Sequence, residues 1–139
     1  MRFVLDTSVA VKWFSNEDFT DKAIRVRDAF LGGKIDLCAP QHILYEVGNS
    51  VWKNKSLDLG DSIKAVESLL AMEIELVTLD SKAASQSMRL ARDIGVTYYD
   101  AVYVQISAMR KIPLLTADRR LFEAAQNAVH LKDYSLKHN

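Results

Sequence analysis

Four acidic residues stand out because each borders an apolar segment of the chain, where an ionised carboxylate needs a compensating partner. Three of them lie directly before or after a short apolar run, and the fourth interrupts one. These residues are Asp6, Asp100, Asp118 and, within a run, Glu46. Magnesium and manganese ions prefer oxygen ligands and could compensate all four carboxylates together. The pattern predicts a metal-dependent enzyme, provided that the four positions meet in the fold.

Each acid also has a simpler explanation when it is taken alone. Asp6, Asp100 and Asp118 could be helix N-caps, because an aspartate side chain accepts hydrogen bonds from the free backbone N–H groups there. Glu46 could be an exposed position on a helix. Both explanations stay open, and the choice between them depends on whether the fold brings the four acids together.

Short apolar runs alternate with longer segments of helical periodicity. The runs predict five strands, over residues 3–5, 35–39, 74–79, 113–116 and 129–131. The segments between them predict seven helices, over residues 9–14, 20–31, 41–54, 58–72, 81–94, 100–110 and 118–126. This alternation is typical of an α/β fold with a mostly parallel sheet covered on both faces. Ligands bind such sheets outside the carboxyl ends of the strands, where Asp6 and Asp118 would lie.

Two predicted helices would carry the remaining two acids. On the helix over residues 41–54, Glu46 and Asn49 are three residues apart and share a face, away from the apolar stripe. The helix over residues 100–110 is apolar nearly all round, which predicts that it is buried. Asp100 would then begin a core helix, where the helix N-terminus favours the ionised carboxylate.

Composition predicts one compact domain, residues 1–139, with 49% hydrophobic and 26% charged residues. Eighteen basic and eighteen acidic residues give a formal net charge of zero, which predicts neither a strongly basic nucleic-acid binder nor a membrane-surface protein. No apolar run approaches the roughly 20 residues that span a bilayer, and the N-terminus lacks a signal-peptide pattern. We therefore expect a cytoplasmic protein. The single cysteine, Cys38, excludes an internal disulfide and is predicted to be buried.

Four segments around the acids resemble the PIN-domain ribonucleases of the VapC toxin type. They cover residues 3–14, 45–49, 99–103 and 115–121, in the family's order. The resemblance implies a three-layer α/β/α sandwich with a five-stranded, mostly parallel sheet. It implies a Mg²⁺- or Mn²⁺-dependent endoribonuclease whose metal ligands are Asp6, Glu46, Asp100 and Asp118. It also implies supporting polar groups around the acids, namely Thr7, Ser8, Asn49 and Thr116.

The same resemblance implies the partners: an RNA substrate, a homodimer and a VapB-type antitoxin that occludes the active site. RNA phosphates need cations, and four basic residues neighbour the acids in sequence: Lys12, Lys53, Arg119 and Arg120. Each of them also fits an ordinary solvated helix face. Aromatic residues could stack on bases, but we interpret them as core or subunit-contact residues; they are Trp13, Phe14, Trp52, Tyr98, Tyr99 and Tyr103.

Two other functions remain as alternatives. One is a phosphatase with Asp6 as nucleophile, although the second aspartate that haloacid-dehalogenase-type phosphatases carry two residues later is missing. The other is a non-catalytic binding module that keeps the PIN fold. The histidines, His42, His130 and His138, show no ligand spacing and are assigned no metal role.

Overall fold

The computed structural model describes residues 1–136 and contains one five-stranded sheet flanked by helices. The strands are β1 (Arg2–Leu5), β2 (Asp36–Pro40), β3 (Glu75–Val77), β4 (Leu114–Thr116) and β5 (Ala128–His130). All four pairings are parallel, and the strand order is β3-β2-β1-β4-β5. The predicted three-layer α/β/α sandwich is confirmed, with a sheet that is parallel throughout.

Seven α-helices connect these strands within the described residues. They are α1 (Thr7–Ala10), α2 (Thr20–Leu31), α3 (Ile43–Lys53), α4 (Leu59–Ala71), α5 (Ser81–Ile94), α6 (Tyr98–Arg110) and α7 (Arg119–Ala124). Most lie within two residues of the predicted ranges. The predicted helix over residues 9–14 differs in kind, because α1 starts directly after Asp6 and continues as a 3₁₀ helix, Val11–Trp13. No helix among residues 1–136 is long and apolar enough to cross a membrane.

The strand order places a binding crevice at the centre of the sheet. The chain runs outward from β1 through β2 to β3 and then returns to add β4 and β5 on the other side. The boundary between β1 and β4 is therefore the point where ligands bind in open parallel sheets. Leu5 pairs with Leu115, and the backbone N–H of Asp6 donates to the Leu115 carbonyl at 3.0 Å. Asp6 is thereby fixed beside Thr116, at the carboxyl ends of both strands.

A tightly packed core holds this crevice in place. The apolar residues of β1 and β4 are buried, whereas the edge strands β3 and β5 are partly exposed, so the prediction of strands covered on both faces holds only at the centre. The helix α6 packs against β1, β2 and β4 and buries six side chains, as its all-round apolar pattern predicts. Cys38 is also buried, as predicted. Truncating a core leucine such as Leu5 to alanine would cost about 2–5 kcal/mol.

Candidate active site

Asp6 follows β1 directly and is held by two hydroxyl groups. Its Oδ2 accepts hydrogen bonds from Ser8 Oγ at 2.5 Å and from Thr116 Oγ1 at 2.8 Å. Asp6 occupies the N-cap position of α1, yet its side chain makes no capping hydrogen bond. The cap explanation is therefore wrong for this residue, and the buried carboxylate is available for another role.

Asp118 lies two residues after β4 and does cap a helix. Its Oδ1 accepts hydrogen bonds from the backbone N–H groups of Arg120 and Leu121, at 2.9 and 3.2 Å. Its own N–H donates to Thr116 Oγ1 at 3.0 Å. Thr116, which is fully buried, therefore links Asp118 to Asp6. Asp118 is therefore both the N-cap of α7 and a neighbour of Asp6.

Asp100 is the third residue of α6, so the prediction that it begins this helix is wrong. The N-cap is Thr97, whose Oγ1 accepts a hydrogen bond from the Asp100 N–H at 3.1 Å. Burial raises the pKa of Asp100, and the negative charges of Asp118 and Glu46 raise it further, while Arg120 opposes them weakly. Asp100 therefore faces the other acids from the first turn of a buried helix.

Glu46 projects from α3, and a group of neighbours gathers around one of its oxygens. Oε1 accepts hydrogen bonds from Tyr103 Oη at 2.7 Å and from Thr7 Oγ1 at 3.1 Å. The Nε2 atom of His42 lies 3.3 Å from the same oxygen but is not oriented for a hydrogen bond to any described residue. Burial raises the pKa of Glu46, but His42, Tyr103 and Thr7 outweigh it and leave the pKa below its ordinary value.

The four acids share one electrostatic environment. Burial raises the pKa of Asp6 to about 6; the hydrogen bonds from Ser8 and Thr116 oppose this rise, and the charges of Asp100 and Glu46 add to it. Asp100 in turn feels Asp118 and Glu46. The fold therefore brings all four predicted acids to the carboxyl edge of β1 and β4. Their mutual repulsion is what a bound cation would relieve.

The donor set fits a hard divalent cation. In three of the acids one oxygen is engaged by the protein and the other makes no hydrogen bond to any residue within 1–136: Oδ1 of Asp6, Oε2 of Glu46 and Oδ2 of Asp118. No three acids, histidines or cysteines of the described chain are gathered closely enough to enclose an ion by themselves. Magnesium commonly takes one or two carboxylates and keeps several waters, so an open arrangement suits it.

The predicted supporting groups divide into two sets. Thr7, Ser8 and Thr116 all contact the acids, and Ser8 Oγ also accepts the Ala117 N–H at 2.8 Å. Asn49 is exposed on α3, and its side chain makes no hydrogen bond to the described residues.

The predicted RNA-binding cations have different environments. Lys12 is buried and pairs with Glu17 at 3.3 Å, whereas Lys53 is exposed. Arg119 pairs with Glu123 at 3.0 Å on the surface. Arg120 donates to the Gly95 carbonyl at 2.7 Å and lies close enough to Asp100 to lower its pKa. Of the four, Arg120 has a described link to the acidic cluster.

Two residues at the site were not predicted from the sequence, namely His42 and Tyr103. His42 precedes Glu46 by one helical turn, and Tyr103 follows Asp100 by three residues, so helical spacing was a usable signal for both. Tyr103 is buried as a core residue, as predicted, and also carries its hydroxyl to Glu46. Trp52 and Tyr99 are exposed, so neither is a core residue. His138 lies outside the described residues.

Comparison with known proteins agrees with this geometry. The PIN domain model matches residues 3–127. Ribonuclease VapC3 of Pyrobaculum aerophilum is 31% identical over 128 residues, which is 88% of this chain and 94% of that protein. Exonuclease VapC9 of the same organism is 28% identical over 89 residues, 64% of this chain and 67% of that protein.

A solved structure shares the fold over nearly the whole chain. The DNA-bound VapBC complex of Salmonella typhimurium contains a chain with a TM-score of 0.68 and 16% identity, covering 94% of this chain and 98% of that one. The strand order, the sequence match over most of the chain and the relatives agree with one another. The chain belongs to the PIN domain family and is of the VapC type.

Proposed function

We propose that this chain is a divalent-metal-dependent endoribonuclease and the toxin of a toxin–antitoxin pair. The observation that carries the proposal is the acidic cluster at the boundary of β1 and β4, where three acids each have one oxygen that makes no hydrogen bond to residues 1–136. The names of its relatives, ribonuclease VapC3 and exonuclease VapC9, support a nuclease.

The proposed roles follow from how each carboxylate is held. Asp6, Asp100 and Asp118 would hold Mg²⁺ or Mn²⁺, one or two of them directly and the others through bound waters, with Glu46 joining directly or through water. When bound, the cation supplies an activated water for attack on phosphorus. Ser8 and Thr116 keep Asp6 oriented, since both donate to its Oδ2. The N-terminal turn of α6 favours the ionised form of Asp100.

Arg120 is the residue we assign to the RNA phosphates, because it is exposed and its charge is near enough to Asp100 to lower the pKa of that carboxyl. Lys53 and Arg119 are exposed and would add less specific attraction. Lys12 could contribute only after leaving Glu17. The alternatives, a phosphatase and a non-catalytic module, have no comparable support among the relatives.

The proposed partners follow from the family. The similar structure from Salmonella typhimurium is a DNA-bound VapBC, and one from Klebsiella pneumoniae is a toxin–antitoxin complex. We propose that this chain binds a VapB-type antitoxin and forms a homodimer. Co-expression with the product of the neighbouring gene, followed by light scattering of the purified complex, would test both statements.

The decisive experiment compares the parent chain with Asp6→Asn on a covalently closed circular RNA. An endonuclease opens the circle, whereas an exonuclease needs a free end. We expect the parent to open it with Mg²⁺ or Mn²⁺ and to stop in EDTA, and Asp6→Asn to be inactive while keeping its fold. Asp36→Asn, at the exposed amino end of β2, is the matched control and should cut like the parent. Cleavage by Asp6→Asn at the parent's rate would overturn the assignment.

A further inference from the structure

We infer that the hydroxyl group of Tyr103 is a positioning group that holds Glu46 in the orientation needed for metal binding. The inference rests on the proposed metal site and adds a residue that contacts neither metal nor RNA. It starts from a geometric fact: every hydrogen bond and ion pair of the Glu46 carboxylate with the described residues is made at Oε1. Oε2 makes no hydrogen bond to the residues of that part of the chain.

Burial fixes the position of the Tyr103 hydroxyl, which in turn holds the Glu46 carboxylate in one orientation. Its ring is fully buried on α6, with 0% exposure, so the hydroxyl has no alternative position in solvent. The hydroxyl lies 2.7 Å from Glu46 Oε1 and 2.7 Å from Thr7 Oγ1. A carboxylate can only accept, so the single Tyr103 proton is donated to Glu46 Oε1. The single Thr7 proton lies within reach of both Glu46 Oε1 and Tyr103 Oη, and Thr7 donates it to one of these two oxygens.

His42 packs next to Tyr103 and Glu46. Its ring packs edge-on against Tyr103, with centroids 5.0 Å apart, and against Tyr99 at 5.5 Å. The groups that hold Oε1 come from three separate elements: Thr7 from α1, His42 from the turn before α3, and Tyr103 from α6.

Orientation matters because glutamate has three rotatable bonds, and ordering them opposes ligand binding. A carboxylate that is already fixed binds without that loss, and groups that orient metal ligands typically change metal affinity 10–100-fold. Tyr103→Phe removes the hydroxyl and keeps the buried ring. We expect it to weaken Mn²⁺ binding about tenfold, the lower end of that range, because Thr7 and His42 remain.

The test is a Mn²⁺ titration of the metal-free full chain, followed by the electron paramagnetic resonance signal of free Mn²⁺, and it needs no RNA cleavage. The matched control is Tyr134→Phe. Tyr134 is also buried, packs on Phe3 at 6.0 Å, and has a hydroxyl with no hydrogen-bond partner among residues 1–136. Tyr134→Phe should bind Mn²⁺ like the parent.

A double-mutant cycle separates positioning from a general loss of structure. If Tyr103 acts through Glu46, Tyr103→Phe should change the Mn²⁺ affinity less than twofold in a Glu46→Gln background. An equal loss in both backgrounds would overturn the inference, and so would parent-like binding by Tyr103→Phe. Asp6→Asn distinguishes the proposed metal site from the proposed role of Tyr103. If Asp6→Asn weakens Mn²⁺ binding and Tyr103→Phe does not, the metal site is supported and the role of Tyr103 is wrong. A parent chain that binds no Mn²⁺ overturns both.

Discussion

Acidic residues have opposite environments at the two ends of the parallel strands, which we call the amino edge and the carboxyl edge of the sheet. At the amino edge, Glu75 begins β3 and pairs with Arg110 at 2.7 Å and with Arg2 at 3.3 Å. At the carboxyl edge, Asp6 and Asp100 lie among other acids, and their pKa values are raised. At the first edge two arginines pair with the acid, whereas at the second edge the acids raise one another's pKa values despite the charge of Arg120. An excess of negative charge held by the fold in this way is typical of a site that binds a cation.

The largest expected effect comes from neutralising Asp118, a second acid at the carboxyl edge in addition to Asp6. Asp118→Asn should lower cleavage about 10²–10³-fold, because the loss of a metal ligand costs several kcal/mol in the transition state. The fold should persist, since asparagine caps helices about as well as aspartate. The measurement is the single-turnover cleavage rate. Asp58→Asn is the control, because Asp58 caps α4 in the same way, by accepting the Asp61 N–H at 2.8 Å, and lies on another helix. Equal rates for the two variants would remove Asp118 from the site.

The second effect is on stability, and it is a gain: neutralising Asp6 should stabilise the metal-free protein although it abolishes cleavage. In the folded protein the pKa of Asp6 is about 6, above the ordinary 3.8, so the folded state favours the protonated carboxyl. The ionised carboxylate therefore destabilises the metal-free fold increasingly as the pH rises through about 6, by up to about 3 kcal/mol near neutral pH. Asp6→Asn should raise the free energy of unfolding by a comparable amount in EDTA, because the amide oxygen still accepts from Ser8 and Thr116.

The measurement is urea unfolding in EDTA at neutral pH and again near pH 4. The difference between parent and Asp6→Asn should shrink at the lower pH, where the parent's carboxyl is protonated. Added Mn²⁺ should stabilise the parent and leave the variant unchanged. A variant that is less stable than the parent at neutral pH would show that Asp6 serves the fold and not a ligand.

The contrast between the edges could be foreseen only in part. Asp6 and Asp118 were placed correctly because each follows a short apolar run, and parallel strands bring their carboxyl ends together. Asp100 was predicted to be the first residue of its helix and is the third, because its position was judged from the apolar run that follows it. The helix begins earlier because Thr97 caps it, and Thr97-x-x-Asp100 is a capping-box spacing that the sequence displays.

Other features depend on contacts that a sequence does not display. Tyr103 and Glu46 are 57 residues apart on different helices, and nothing in either segment indicates that they meet. Lys12 was a candidate for RNA phosphates or a solvated helix face, but in the fold it is buried and pairs with Glu17. The elements β3 and α7 are each shorter by up to two residues at either end than predicted, although Leu79 and Ala125, just beyond them, still pack against the core. Local pattern predicts elements, and tertiary packing decides which side chains converge.

A smaller effect should separate two neighbouring arginines on α7. Arg120 lies beside Asp100, whereas Arg119 points to Glu123 with 87% of its side chain exposed. In an Asp6→Asn background, which prevents cleavage, Arg120→Ala should weaken RNA binding about three- to tenfold and reduce the salt dependence by roughly one phosphate contact. Arg119→Ala is the paired control and should change affinity less than twofold. Fluorescence anisotropy at several salt concentrations measures both, and equal effects would mean that the arginines act only through general charge.

The smallest effect is expected at the amino edge. Glu75→Gln removes the charge that pairs with Arg2 and Arg110. All three side chains are at least one third exposed, and pairs in solvent contribute only about 0–1 kcal/mol. The free energy of unfolding should therefore fall by less than about 1 kcal/mol, and cleavage should not change. High salt should lower the free energy of unfolding of the parent toward that of Glu75→Gln, because salt screens exposed charges. Neutralising an acid would then destabilise the protein slightly at one edge and stabilise it at the other, as expected if only the amino edge supplies its own cations.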